Sequence, residues 1–445
     1  MQVKIRNFLY RLRQSFWFMP ALMAGAAILL SVLTTALDRA IPYGKHAYLG
    51  WLYHGGTEGA QTILSVISSS MITVAGVVFS ITIVVLSLAS SQFGPRLVRN
   101  FMNIKANQMV LGTFVATYIY SILVLHVVSS VEERYFVPGI SVTFAVLMSL
   151  TSLAVLIYFI HSVSESIQAQ NIILQVCRDL DDAVDRIFPE KVGQAEAPVS
   201  EPIHRNYDLP ATCDRLACHV RADRSGYLQA VDGEALMRIA VEDNLLVHLG
   251  YRPGHFITEG SILVTVWPGD KVDEALSQKV NALFIVGSER TLEQDVEFAI
   301  SQLVEIAVRA LSPGINDPIT AITCIDWLGA MLCRLAKRRM PSSHRFDDQN
   351  RLRLIVKTFA FEGMVDAAFN MIRQNAYAHA AVSIHLVETI ATIAAQTPSE
   401  TNRQALRRHA TMTARGFRAS QSAEGDRKDF DSRYEAALRA LEGDA

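Results

Sequence analysis

From Thr62 to Ala89 the chain runs for 28 residues without a charged side chain, yet nine of those positions are Ser or Thr, among them Ser68, Ser69 and Ser70. A soluble core does not read this way. As a helix the run would be roughly 42 Å long at about 1.5 Å per residue, more than a hydrocarbon layer of about 30 Å requires. It predicts a membrane span. Steps of four and three along one side give Ser65, Ser69, Thr73, Gly76, Ser80, Ile83 and Ser87, a stripe of small and hydroxylated residues. Such a stripe faces either close-packed neighbouring helices or a water-filled path lined by hydroxyls.

Charge-free runs place the remaining spans at residues 16–37, 108–128 and 137–160. Lys4, Arg6, Arg11 and Arg13 precede the first, and Arg96, Arg99 and Lys105 lie between the second and third. The opposite side carries Arg39, Lys45 and Arg134 beside Asp38, Glu58, Glu132 and Glu133. This bias predicts a multi-pass membrane protein with both termini cytoplasmic. Trp17, Trp51, Tyr53, Tyr135 and Phe136 near the span ends suit the interfaces, as do His126 and His161. The length of the first run, with Pro20, Met23 and Leu30 in it, favours a retained helix over a cleaved signal.

An inner-interface motif follows the second span: Gln92, Gly94, Pro95, Arg96 and Arg99. Gly94-Pro95 should stop the helix, and Leu97, Val98, Phe101 and Met102 alternate with cations as in a short interfacial helix. Those cations set topology, meet anionic lipid headgroups or flank the mouth of a pore. No span carries Asp, Glu, Lys or Arg at mid-depth, which argues against an ion-coupled pump and leaves a passive path open. Four helices are few for a one-chain pore, so conduction implies a homo-oligomer.

The fold class expected is an α-helical membrane domain of four transmembrane helices, then a cytoplasmic α+β region: a small β module and a helical bundle. The 445 residues divide at 1–161 (spans), 162–190 (helical extension of the fourth span), 191–210 (Pro-containing linker), 211–287 (β module), 288–420 (helical domain) and 421–445 (charged tail helix). A formal charge of −2 gives no basic field, so nucleic acid is not an expected partner. The five cysteines all follow the last span and should be reduced thiols in a cytoplasmic location.

Within the β module, Arg252-Pro253-Gly254-His255-Phe256-Ile257-Thr258-Glu259-Gly260 is similar to the turn-and-strand hammerhead of lipoyl-like barrels, but no hairpin-tip lysine is there to carry a prosthetic group. From Ser288 the pattern reads as helical to the end. Asp295, Glu305, Arg309, Asn316 and Asp317 form a polar motif, read either as a ligand site or as a helix-turn-helix corner whose polar groups satisfy one another. Asp317 before Pro318 is a strong helix start. The basic run Arg334, Lys337, Arg338, Arg339, Arg345, Arg351 and Arg353 reads as a solvated helix end and loop. Cys213-x4-Cys218-His219 lacks the second donor pair of a zinc site. Phosphate loops, nucleophile elbows and metalloprotease helices are absent too, so neither an enzyme nor a cofactor is expected.

Ser90-Ser91-Gln92-Phe93-Gly94-Pro95-Arg96, Glu289-Arg290-Thr291 with Gln294-Asp295, and Arg309-Ala310-Leu311-Ser312-Pro313-Gly314-Ile315-Asn316-Asp317-Pro318 resemble a bacterial integral membrane family known as domain of unknown function 2254. The resemblance covers nearly the whole chain. It implies an inner-membrane protein and brings no activity with it. Two functions fit the residues: a self-assembling, channel-like passive transport protein with a cytoplasmic assembly or gating domain, or a membrane-anchored cytoplasmic module that binds a ligand or partner without conduction.

Overall fold

The computed structural model describes residues 17–40, 56–94, 105–129, 137–166, 168–188, 217–338, 340–420 and 423–443, which fall into two compact units meeting in sequence at Ile172 and Ile173. Pro95, Arg96, Arg99, the interfacial segment after them and the 191–210 linker lie outside the described residues.

Among the described residues the first unit has four helices: α1 (Phe18–Ala40), α2 (Thr57–Phe93), α3 (Lys105–Ser129) and α4 (Gly139–Ser166). Each is apolar on nearly every side, so none shows the one-sided pattern of a surface helix in water. Helix α3 packs against the other three and is the axis of the unit. Its Phe114, Tyr120 and Val124 are buried with Leu64, Val142 and Phe159. At Gly112 a Cβ would sit 2.5 Å from Met23 Sδ and 3.3 Å from Pro20 Cα, so a small residue lets α1 and α3 approach closely. Met23 neighbours Gly112 and Thr34 neighbours Tyr120, so α1 and α3 run the same way. Helix α4 runs against them, with Ser141 beside Tyr120 and Ser152 beside Thr117.

In the second unit, α5 (Ala169–Ile187) is a separate amphipathic helix rather than an unbroken extension of α4, which ends at Ser166. The β module comprises β1 (Cys218–Arg221), β2 (Gly226–Val231), α6 (Gly233–Glu242), β3 (Leu246–Leu249), β4 (Phe256–Ile257), β5 (Ile262–Trp267), α7 (Glu274–Leu283) and β6 (Phe284–Gly287). Then come α8 (Val296–Ala310), α9 (Pro318–Ala336), β7 (His344–Phe346), β8 (Leu352–Ile355), α10 (Phe361–Ala376), α11 (Ala380–Ala395), α12 (Glu400–Ala419) and α13 (Glu424–Glu442). One sheet has the order β1-β5-β3-β8-β7, antiparallel except for the parallel β3–β8 pair; a second has the order β4-β2-β6. Leu228, Val247, Ile257, Val264, Phe284 and Leu354 form the common core.

Two expectations are corrected here. The chain is not helical throughout after Ser288, because β7 and β8 return to the five-stranded sheet. What builds that hairpin is the basic run itself: buried Arg353 donates to Asp347 (2.9 Å) and to Asn244 Oδ1 (2.8 Å), while Asp347 accepts the backbone N–H groups of Gln349 and Arg351. The run is therefore not simply solvated. Arg334 pairs with Asp181 and Asp185 of α5, and Arg338 donates to Asp185 and to the carbonyls of Val184 and Phe188 at the end of that helix.

Among the described residues five helices, not four, are long and apolar enough to cross a membrane. The fifth is α9. Its Ala321, Cys324, Ile325, Leu328, Leu332 and Leu335 are buried, and it packs against α8 and α11 inside the second unit. A central helix of a globular bundle acquires an apolar composition for that reason.

Candidate functional site

Helix α2 buries one face only: Ala60, Leu64, Ile67, Ser68, Met71, Ala75 and Val78 lie against its own bundle. The opposite face carries Ser65, Ser69, Thr73, Gly76, Ser80 and Ser87, and every one of these is exposed. So among the described residues the stripe is not a packing seam. A Cβ added at Gly76 would meet nothing within 4 Å. Beyond Val78 the burial stops except at Ala89, and Phe79, Ile81, Ile83, Val84 and Leu88 are all exposed. The hydroxyls of Ser69 and Thr73 donate to the helix's own carbonyls of Val66 and Ser69, which removes part of the cost of an apolar setting. At the end of the helix Gly94 adopts φ 107°, a conformation that favours glycine, and its N–H donates to Ser90 O.

The interior of the first unit holds a polar cluster that the sequence does not announce. Asp38, near the end of α1 and buried, accepts from Ile140 N (2.9 Å), Ser141 N (2.9 Å) and Ser141 Oγ (2.6 Å). It thereby caps the start of α4 from another helix, satisfying amides that have no partner in the first turn. Tyr120 OH donates to Ser141 O (3.2 Å) and pairs with Thr34 Oγ1 (2.9 Å), while Thr117 and Ser152 join α3 to α4 (3.0 Å). The charge count reads Asp38 as a loop residue, because a cap contributed from 100 residues away leaves no local pattern.

The polar motif of the second unit is not one constellation. Asp295 is buried, caps α8 through Phe298 N (3.1 Å) and takes two bonds from Arg290 (2.7 and 2.9 Å). Asp317 caps α9 through Thr320 N (3.1 Å), and Asn316 before it turns the chain at φ 51°. The 15 residues of α8 separate these two caps by roughly 22 Å. Glu305 and Arg309 lie half-buried one turn apart toward the second cap. Gln294 bonds both backbone groups of Val231 on β2 (3.1 and 3.2 Å), so this family-like motif ties the sheet to α8. At Gly254, φ 93° and a Cβ position 2.4 Å from Asp295 Oδ2 leave room for glycine alone.

A groove of about 680 Å³ runs between α9 and α11. At one end His385 Nε2 lies 2.6 Å from Asp326 Oδ1 and 28 % of the histidine side chain stays exposed. Its Nδ1 is 3.6 Å from Glu388, which also takes Arg433 at 2.7 Å. At the other end Lys337 donates to the neutral amide oxygen of Gln396 (2.8 Å), whose nitrogen lies 3.4 Å from Cys333 Sγ. Burial raises the Cys333 thiol above its usual range, against the pull of Lys337, so it is not a poised nucleophile. Among the described residues no group of three or more His, Cys, Asp or Glu is placed to hold a metal ion.

The sequence model of the family described as "Predicted membrane protein (DUF2254)" matches residues 13–392. An uncharacterized protein of Mycobacterium bovis and one of Mycobacterium tuberculosis are each 32 % identical over 441 residues, covering 97 % of this chain and 81 % of the relative. No solved structure matches the chain.

Proposed function

The chain belongs to the DUF2254 family of predicted membrane proteins, and from that premise we propose that it is a multi-pass bacterial inner-membrane protein that self-assembles into a channel-like oligomer for passive permeation. In this reading α1 to α4 cross the bilayer, both termini are cytoplasmic, and α9 stays in the second unit, which serves as the assembly or gating domain. One observation carries it: the hydroxyl stripe of α2 points away from the other described helices of its own unit. Small and hydroxylated side chains gain little from lipid tails, whereas they let a second helix approach closely or line a wet path. The cations beyond Gly94 would then lie near the inner mouth and the anionic headgroups.

Purified protein in a mild detergent should run as an oligomer, and liposomes containing it should pass small ions without an energy source. Ser69→Leu and Ser80→Leu widen the stripe with bulk and should cut flux at unchanged protein density. A monomer in both detergent and bilayer, with liposomes no leakier than empty ones, would sink the proposal.

A further inference from the structure

The register of the five-stranded sheet sets one residue of each strand in a single row. His219 of β1 stands opposite Thr265 of β5, Thr265 opposite His248 of β3, His248 beside Ile355 of β8, and Ile355 opposite His344 of β7. Residues paired in this way project from the same face of a sheet, and their neighbours along each strand from the other. Those neighbours, Val220, Val264, Val247 and Leu354, are buried in the core. The row therefore lies on the outer face, where His219 is exposed and the other four are half-buried. It holds three imidazoles and no carboxylate. His219 Nδ1 lies 3.2 Å from Thr265 Oγ1, so its ring reaches over β5 toward β3. Among the described residues no hydrogen bond occupies either ring nitrogen of His248.

We propose that His219 and His248 hold a divalent transition-metal ion above Thr265. Two strand spacings, about 9.5 Å, separate the two positions. Two imidazoles, each about 2.1 Å from a shared metal, close that gap when both rings incline over the strand between them. Threonine is small enough to leave the space, whereas Ile355 fills the matching position between His248 and His344. With Nδ1–H donated to the threonine oxygen, His219 presents Nε2 as its free lone pair, which is how a ligating histidine is oriented. Imidazole donors suit zinc, nickel or copper rather than magnesium or calcium, and water completes the coordination. Cys218 alternates to the core face opposite Val266 and is not a ligand. The second donor that the sequence around Cys218 and His219 lacks is thus supplied by β3, through the fold. The inference is independent of conduction, since it concerns the second unit alone.

The test uses the full-length protein in detergent micelles, freed of any purification tag, with Ni(II) and Zn(II) as the probes. Isothermal titration should show saturable binding of one ion per chain. His219→Ala and His248→Ala should each weaken it by about tenfold or more. His344→Ala, in the same row but beyond Ile355, should leave it unchanged. Lys357, exposed past the end of β8, opposes a cation at His248, so Lys357→Gln should tighten binding about twofold. His219 is exposed, so His219→Ala leaves the sheet intact and decides the matter even where His248→Ala unfolds; circular dichroism checks both. Neither ion binding at about 1 mM, wild-type affinity in His219→Ala or in a folded His248→Ala, or an equal loss in His344→Ala would overturn the assignment.

Discussion

Removing the carboxylate of Asp38 should loosen the first unit more than any other single polar change in it. Among the described residues the side chain accepts two hydrogen bonds from backbone amides at the start of α4 and one from Ser141 Oγ, and Asp38 and Ser141 are almost fully buried. Bonds to a charged acceptor contribute about 1.5–3 kcal/mol each, and they are not additive. Asp38→Ala leaves two buried amides and a hydroxyl without this acceptor, for an expected loss of about 3–5 kcal/mol. Against that stands the cost of burying a carboxylate at all, which the substitution relieves; the open first turn of α4 decides the sign, because it needs an acceptor whatever replaces the aspartate. Asp38→Asn keeps one carbonyl oxygen and should lose only about 1–2 kcal/mol.

The assay is reversible unfolding in mixed micelles as SDS is titrated in, followed by circular dichroism, with Ser141→Ala as the second arm. The Asp38→Ala and Ser141→Ala effects should couple by about 0.5–2 kcal/mol in a double-mutant cycle, since both delete the 2.6 Å bond. Coupling near zero together with an Asp38→Ala protein as stable as wild type would refute the reasoning, and Asp38 would then be the loop residue that the charge count suggests.

In the second unit, Gly416→Ala should destabilise by about 1–3 kcal/mol despite alanine's better helix propensity, because the new Cβ would lie 1.9 Å from Tyr377 Cε1 on a ring held through its hydroxyl by Arg373. Thermal melts of Gly416→Ala with and without Tyr377→Leu check this, and failure of the second change to restore stability counts against it. His409 is fully buried with Nε2 2.7 Å from Asp366 Oδ1 and Nδ1 without a hydrogen-bond partner. Burial holds its pKa below the ordinary 6.5; Asp366 pulls it up, and Arg408 and Arg373 push it further down. With the folded-state value depressed, the unfolded chain takes up the proton first as pH falls. Its stabilising contribution is thus complete above about 6.5 and shrinks below it. Unfolding midpoints between pH 8 and 5.5 should fall for wild type and fall less for His409→Gln; equal slopes would overturn this.

The membrane character of the chain is legible because the bilayer imposes length and charge rules on each run separately, as at Thr62–Ala89. Asp317 is likewise legible as a helix start, since a cap is written within four residues of sequence, whereas Asp295 reads only as a member of the polar motif and proves to be a cap in the structure. What escapes is whatever depends on a distant partner. Arg353 reads as surface charge until Asn244 and Asp347 close around it. The strands His344–Phe346 and Leu352–Ile355 are too short and too basic to alternate visibly, and only the sheet they join makes them strands. The stripe on α2 shows in the sequence as a stripe, but its periodicity is silent on whether the bundle lies under it or behind it.

Helix α2 is also longer than a bilayer needs. Its charge-free run of 28 residues, roughly 42 Å, exceeds a hydrocarbon thickness of about 30 Å by about 12 Å. By tilt alone, keeping all of that run in hydrocarbon would take a lean of about 45°, and a membrane thinner by about 3 Å would add about 6° more. Its second half has almost no burial to oppose that swing. On the proposed reading that α2 spans the bilayer, the excess length is taken up by tilt, a kink or local thickening of the lipid, so acyl-chain length is a variable for the angle at which the hydroxyl face is presented.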